Sequence, residues 1–200
     1  GVAGAVALLS GVVLVLSGIW QWMNLQETTS SDPSYGILHL LFAAACVLFG
    51  LCQLVVSLGF FQGKNNLERV PLLYLLGVVW GILYVVLVYV FYAKSSSTVE
   101  NLFAVFGGVF TLLSLFYLCK LLAGVDEEGA AKRLFVTGVF SVVLTLTYSL
   151  SNLALLLLGR TYSGEIPPSI QVGNLVVALF LLVFLVTFRK YSLRRSPKGG

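Results

Sequence analysis

Six long apolar segments divide this chain and restrict it to one class of fold. They lie near 2–23, 36–61, 71–93, 101–123, 133–159 and 168–188. Each is long enough to cross a hydrocarbon core as a helix, which takes about 20 residues. Because a bilayer core offers no water to bind backbone N–H and C=O groups, such segments can span it only as helices. We therefore predict an all-α, polytopic integral membrane protein, with six transmembrane helices in residues 1–188 and a basic C-terminal tail in residues 189–200.

The low charge content supports the same interpretation. Charged residues make up 10% of the 200 residues, whereas soluble domains contain about 25%. A soluble chain of this length needs a polar surface, so we expect membrane lipids to surround most of it. The basic residues form no stripe on a soluble face, which argues against nucleic-acid binding.

The first segment does not begin with basic residues, and its apolar run is longer than that of a signal peptide. We therefore interpret it as a spanning helix. The composition does not identify the membrane.

Small and polar residues in the second segment recur at steps of three and four, the spacing of a packed helix face. These residues are His39, Ala43, Cys46, Gly50, Gln53 and Ser57. The fifth segment has the same spacing in Gly138, Ser141, Thr145, Tyr148 and Asn152. Since polar groups that face lipid are unfavourable, we predict that both rows face neighbouring helices.

Glycine rows predict close helix packing. Gly4, Gly11 and Gly18 are spaced by seven residues in the first segment, as are Ala43, Gly50 and Ser57 in the second. Small residues allow two backbones to approach closely in a membrane. We expect these two rows to meet in an antiparallel hairpin.

The third and sixth segments differ in their content of small residues. Gly77 and Gly81 form a small-xxx-small pair in the third segment, a common motif of packed membrane helices. After Asn174, the sixth segment is almost purely Val, Leu and Phe. We therefore place the sixth helix at the periphery of the bundle.

The loop charges predict the orientation. Ten of the 12 Lys and Arg residues belong to the connections after the second and fourth segments, to nearby Lys120 or to the tail: Lys64, Arg69, Lys120, Lys132, Arg133, Arg189, Lys190, Arg194, Arg195 and Lys198. Only Lys94 and Arg160 lie on the other side. The positive-inside rule then places both termini on the cytoplasmic side, or its matrix or stromal equivalent. Six crossings in three antiparallel hairpins agree with this orientation.

The sequence lacks the residue patterns of common membrane chemistry. No Asp or Glu lies deep in an apolar segment, whereas proton-coupled transporters usually relay protons through such a residue. The three cysteines lie inside apolar segments, and their spacing fits neither a zinc site nor a disulfide framework. We predict no catalytic residues, no metal and no cofactor. His39, the single histidine, remains a candidate ligand of a haem or pigment, although a neutral histidine bonded to a neighbouring helix is the preferred interpretation.

Two functions remain open. The first is a non-catalytic accessory subunit that packs against other membrane protein subunits in a larger complex. The second is a small transporter or channel for a neutral or weakly polar solute, through a polar seam between the second and fifth helices. Its candidate lining residues are His39, Gln53, Ser57, Ser141, Thr145, Tyr148 and Asn152.

Overall fold

The chain folds into helices joined by short connections. The computed structural model describes residues 2–28, 33–63, 71–93, 99–159 and 166–192. The helices are α1 (Val2–Thr28), α2 (Pro33–Gln62), α3 (Leu75–Leu87), α4 (Val99–Leu122), α5 (Glu127–Leu157) and α6 (Pro168–Ser192). A 3-10 turn (Pro71–Tyr74) precedes α3, and a π-helical turn (Val88–Ala93) follows it. Within the described residues, six spans are long and apolar enough to cross a membrane, as predicted.

The start of α5 differs from its predicted position near residue 133. The helix instead begins at Glu127, so that two acidic residues lying before the predicted span form its start. The Asp126 carboxylate accepts a hydrogen bond from the Gly129 N–H at 3.3 Å, which caps the helix. The carboxylates of Glu127 and Glu128 then occupy the first turn, where the helix dipole favours negative charge.

The end of α6 also differs from the prediction. The helix continues to Ser192, so the first residues of the predicted tail are helical. The rest of the tail, 193–200, lies outside the described residues, as do the connections that contain Lys64, Arg69, Lys94 and Arg160.

The helices form a closed ring in chain order. Each of α2 to α5 packs against the helices before and after it, and α6 packs against α5 and α1. The most extensive interfaces join α1 to α2 and α4 to α5. Aromatic side chains of α3, Trp80 and Tyr84, fill the core with Phe42 of α2 and Phe180 of α6.

The predicted peripheral position of α6 is wrong. Of its most apolar stretch, 61% is buried, compared with 39–50% for the other spans. Val177 and Leu181 are completely buried, whereas Val186 is 61% exposed. Apolar side chains suit both lipid and a packed interior, so hydrophobicity alone did not distinguish an outer helix from an inner one.

Candidate functional site

The glycine row of α1 meets the small-residue row of α2. A methyl group at Gly11 would lie 2.9 Å from the Gly50 carbonyl oxygen, and one at Gly18 would lie 2.8 Å from that of Ala43. Residues with higher numbers in α1 therefore face residues with lower numbers in α2. Gly4 faces Phe60 and Phe61 instead of Ser57, and the Ser57 hydroxyl donates to the Leu54 carbonyl of its own helix at 2.7 Å.

The glycines of α3 contact different neighbours on its two sides. A methyl group at Gly77 would lie 2.9 Å from the Phe49 ring of α2. At Gly81 it would lie 3.1 Å from the Leu112 side chain of α4. The small-xxx-small pair thus brings α3 close to both adjacent helices.

His39 belongs to a buried hydrogen-bonded cluster between α2 and the π-helical turn. Its Nε2 atom lies 3.2 Å from the Tyr92 hydroxyl, which lies 3.2 Å from the Tyr35 hydroxyl. The Tyr35 and His39 rings pack with their centroids 4.2 Å apart. The Asn101 side chain of α4 donates to the Tyr92 carbonyl oxygen at 3.2 Å. One nitrogen of the candidate haem or pigment ligand therefore hydrogen-bonds to the neighbouring helical segment.

The polar row of α5 divides between two neighbours. The Ser141 hydroxyl lies 2.7 Å from the Thr111 hydroxyl of α4. Gly138 instead faces Leu185 of α6, and its missing side chain leaves room for that leucine. The Tyr148 hydroxyl accepts a hydrogen bond from Gln171 of α6 at 3.4 Å. The Thr145 hydroxyl is buried next to Gly107 and finds no hydrogen-bond partner in the part of the chain that the structure describes.

Sequence reasoning missed the structural role of two amide side chains of α6. The Asn174 side chain donates to the Tyr84 hydroxyl of α3 at 3.0 Å, across the ring. Gln171, three residues earlier, reaches α5 as described above and also donates to the Ile166 carbonyl oxygen at 3.0 Å. Two amides three residues apart lie on one helix face. In a long apolar segment, this spacing indicated that the two side chains are buried against other helices.

The candidate residues of the predicted seam between the second and fifth helices lie at separate places in the described structure. In the described structure α2 and α5 lie across the ring from each other, because the helices pack in chain order. Gln53 lines a small cavity of about 20 Å³ with Cys52 and Cys119. Asn152 and Tyr148 line a different recess of about 170 Å³. The two spaces share no lining residue, so the candidate path residues are divided between separate places.

The recess near Asn152, which we call the lateral notch, lies between α4 and α5. It is lined by Phe103, Thr147, Tyr148, Ser151 and Asn152. Asn152 is buried, and its Nδ2 atom has no hydrogen-bond partner among the described residues. The exposed hydroxyls of Thr147 and Ser151 donate to carbonyl oxygens of their own helix at 2.8 and 2.7 Å. Each hydroxyl oxygen retains acceptor capacity toward the surroundings. The notch is a polar patch on a mostly apolar exterior.

Neither metal-binding residues nor the cysteines of the described structure indicate a reaction. No cluster of three or more His, Cys, Asp or Glu residues that could hold a metal ion occurs in the described part of the chain. Cys46, Cys52 and Cys119 are buried free thiols, and Cys46 accepts a hydrogen bond from the Trp80 indole N–H at 3.2 Å. No family model, no curated protein and no solved structure matches this chain.

Proposed function

We propose that this protein is a non-catalytic, multi-pass membrane protein that packs as an accessory subunit against other membrane proteins. In this proposal the six spans form three antiparallel hairpins, with both termini at the cytoplasmic, matrix or stromal face. The opposite direction of residue numbers along the α1–α2 interface supports the first hairpin. The concentration of Lys and Arg near one set of helix ends supports the orientation.

The interior favours a packing role over a transport role. Thr111 and Ser141 pair their hydroxyls between adjacent helices, and Asn174 and Tyr84 join α6 to α3. Polar side chains in such pairs hold membrane helices together. The remaining described spaces near the candidate path residues are small and separate. This arrangement is that of a packed bundle.

The polar groups at the lateral notch give the strongest support for a partner subunit. A buried amide donor without a partner is unfavourable in any apolar environment, and Asn152 has such a donor in a recess open to the side of the bundle. The hydroxyls of Thr147 and Ser151 at the same recess add acceptors on the exposed face of α5. Moreover, α5 has the lowest mean hydropathy of the six spans. A partner helix with a polar side chain at this depth would pair with the exposed hydroxyls of Thr147 and Ser151, and with Asn152 once its covered amide turns toward the recess.

Site-specific photo-crosslinking in the native membrane tests this proposal. A photoreactive residue at Thr147 or Ser151 is expected to form adducts with one discrete membrane protein. The same probe at Val136, exposed on the same helix, serves as the matched control and is expected to give lipid adducts. Replacing Thr147 with Val and Ser151 with Ala removes both hydroxyls with little change of shape, and the partner should then fail to co-purify. Equal adducts at all three positions, together with a stable monomer in mild detergent, would refute the proposal.

A further inference from the structure

Three hydrogen-bonding side chains form a connected row at the end of the bundle where α2 begins. The Tyr35 hydroxyl lies 3.2 Å from the Tyr92 hydroxyl, which lies 3.2 Å from His39 Nε2. Both distances are within the reach of about 2.6–3.2 Å at which side chains transfer protons. Tyr35 is half-buried near the first residue of α2, whereas Tyr92 and His39 are buried. The row therefore connects a partly accessible hydroxyl to a covered imidazole.

Ring packing and a backbone contact hold these three groups in place. The ring centroids of Tyr35 and His39 lie 4.2 Å apart, and the Phe91 ring packs edge-on against Tyr35 with centroids 4.9 Å apart. The Asn101 side chain donates to the Tyr92 carbonyl oxygen, which holds the π-helical turn against α4. Turns of this kind are frequent at functional sites.

Among the described residues, no acidic side chain pairs with His39. Both ion pairs of the described structure join other residues. The titratable side chains that face the imidazole are Tyr35, from its own helix, and Tyr92, from the π-helical turn. From α4, the Asn101 amide contacts this cluster at the Tyr92 backbone. Because histidine takes up and releases protons near neutral pH and tyrosine does not, His39 is the proton acceptor of the row.

We propose that His39 is a buried proton-binding site, which Tyr92 and Tyr35 connect to the water at the end of the bundle where α2 begins. In the tautomer with its proton on Nδ1, His39 accepts a hydrogen bond through Nε2. A hydronium ion gives a proton to the Tyr35 oxygen, the original Tyr35 proton passes to the Tyr92 oxygen, and the original Tyr92 proton passes to Nε2. Both tyrosines stay neutral, His39 becomes an imidazolium, and release follows the reverse sequence.

The same atoms stay hydrogen-bonded in both protonation states of the site. After uptake, Nε2–H donates to the Tyr92 oxygen, and the Tyr92 hydroxyl donates to the Tyr35 oxygen, so each bond reverses its direction. Uptake therefore requires neither entry of water nor opening of the bundle. Because the described row ends at His39, the site responds to acidity on one side of the membrane without carrying protons across it.

Time-resolved infrared spectroscopy of the full-length chain in liposomes tests the proposal. His39 is the single histidine, so isotopically labelled histidine reports on this residue alone. We expect a rapid fall in pH on the side where α2 begins to produce the imidazolium bands, whereas the same fall on the other side should not. Tyr35→Phe removes the accessible hydroxyl, so the rapid response should be lost. Tyr89→Phe is the matched control, because Tyr89 is exposed on the same π-helical turn, and it should respond as the wild-type chain does.

Tyr92→Phe supplies a second variant, since it removes the central hydroxyl and should also abolish the rapid response. Circular dichroism checks that each variant retains its helices. The proposal is overturned if His39 stays neutral at every pH at which the chain remains folded, or if Tyr35→Phe responds as rapidly as Tyr89→Phe. Equal responses to acid on the two sides would overturn it as well. The test needs no partner protein, so its failure would leave the proposed subunit role unaffected.

Discussion

A single tyrosine hydroxyl joins a buried histidine to a half-buried tyrosine near one end of the bundle. The Tyr92 hydroxyl lies 3.2 Å from His39 Nε2 and 3.2 Å from the Tyr35 hydroxyl. Because His39 is buried, its ring nitrogen would have no ready replacement for the Tyr92 hydroxyl. At the residue scale, the stability of this protein therefore depends on pairs of polar side chains whose loss leaves an unsatisfied atom.

The substitution Tyr92→Phe is expected to lower the free energy of unfolding by about 1–2 kcal/mol, because it removes the hydroxyl that faces His39. Equilibrium denaturation in detergent micelles measures the change. Tyr89→Phe is the control, since Tyr89 belongs to the same π-helical turn and is 63% exposed. Equal stability of the two variants would contradict the assigned role of the Tyr92 hydroxyl.

Gly50 tests the contact between α1 and α2. In Gly50→Ala the new methyl group would lie 2.8 Å from the Gly11 carbonyl oxygen, and a backbone atom cannot move aside as a side chain can. We expect destabilisation of about 1–3 kcal/mol. Gly173→Ala is the matched control, because its nearest neighbours would be at 3.7 and 3.8 Å. A Gly50→Ala variant as stable as Gly173→Ala would mean that the two helices pack less closely than described.

At the element scale, sequence periodicity predicted helix faces more successfully than helix positions. The residues spaced by three and four in α2, from His39 to Ser57, are all buried, since a repeat of this period stays on one side of a helix. The position of α6 depends on which helices surround it, and its apolar stretch after Asn174 is equally compatible with lipid and with a packed interior. The fifth span was predicted to begin near residue 133, after the acidic run Asp126–Glu128, although acidic residues are also favoured in the first turn of a helix.

Lipid-phase labelling tests the burial of α6. A photoactivated hydrophobic probe dissolved in the bilayer should modify Val186, which is 61% exposed, and should leave Val177 and Leu181 unmodified. Leu16 of α1, which is 60% exposed, provides a positive control for access from lipid. Similar modification of Val177 and Val186 would restore the peripheral position that the sequence suggested.

At the scale of the whole molecule, the closing contact between α1 and α6 converts a chain of adjacent helices into a ring. The Ser17 hydroxyl donates to the Ser169 carbonyl oxygen at 2.9 Å, and Leu14 and Ser17 are the nearest neighbours of Gly173. Residues this far apart in the chain show no local pattern that pairs them. The sequence therefore predicted the number of spans and their buried faces, but it predicted neither the order of helices around the ring nor the pairing of Asn174 with Tyr84.

Disulfide formation tests ring closure. With the native cysteines replaced by alanine, the pair S17C/G173C should crosslink on mild oxidation, because a Cβ atom at residue 173 would lie 3.8 Å from the Ser17 hydroxyl oxygen. The pair S10C/G173C is the control, since Ser10 is buried on α1 about 10 Å farther along the helix axis. Crosslinking of the control at a comparable rate, or none in either pair, would contradict the closed ring.

We expect the polar interior of this bundle to be sealed from water. Cys46, Cys52 and Cys119 are free and buried, and Cys52 lies at the cavity that Gln53 lines. The most direct measurement is the reaction of these native thiols, in intact membranes, with a small membrane-impermeant thiol reagent applied from each side. We predict no modification of the three thiols before denaturation, whereas an added cysteine at exposed Val125 should react. Modification of Cys52 from either side would show an aqueous path into the bundle, so its interior would not be sealed.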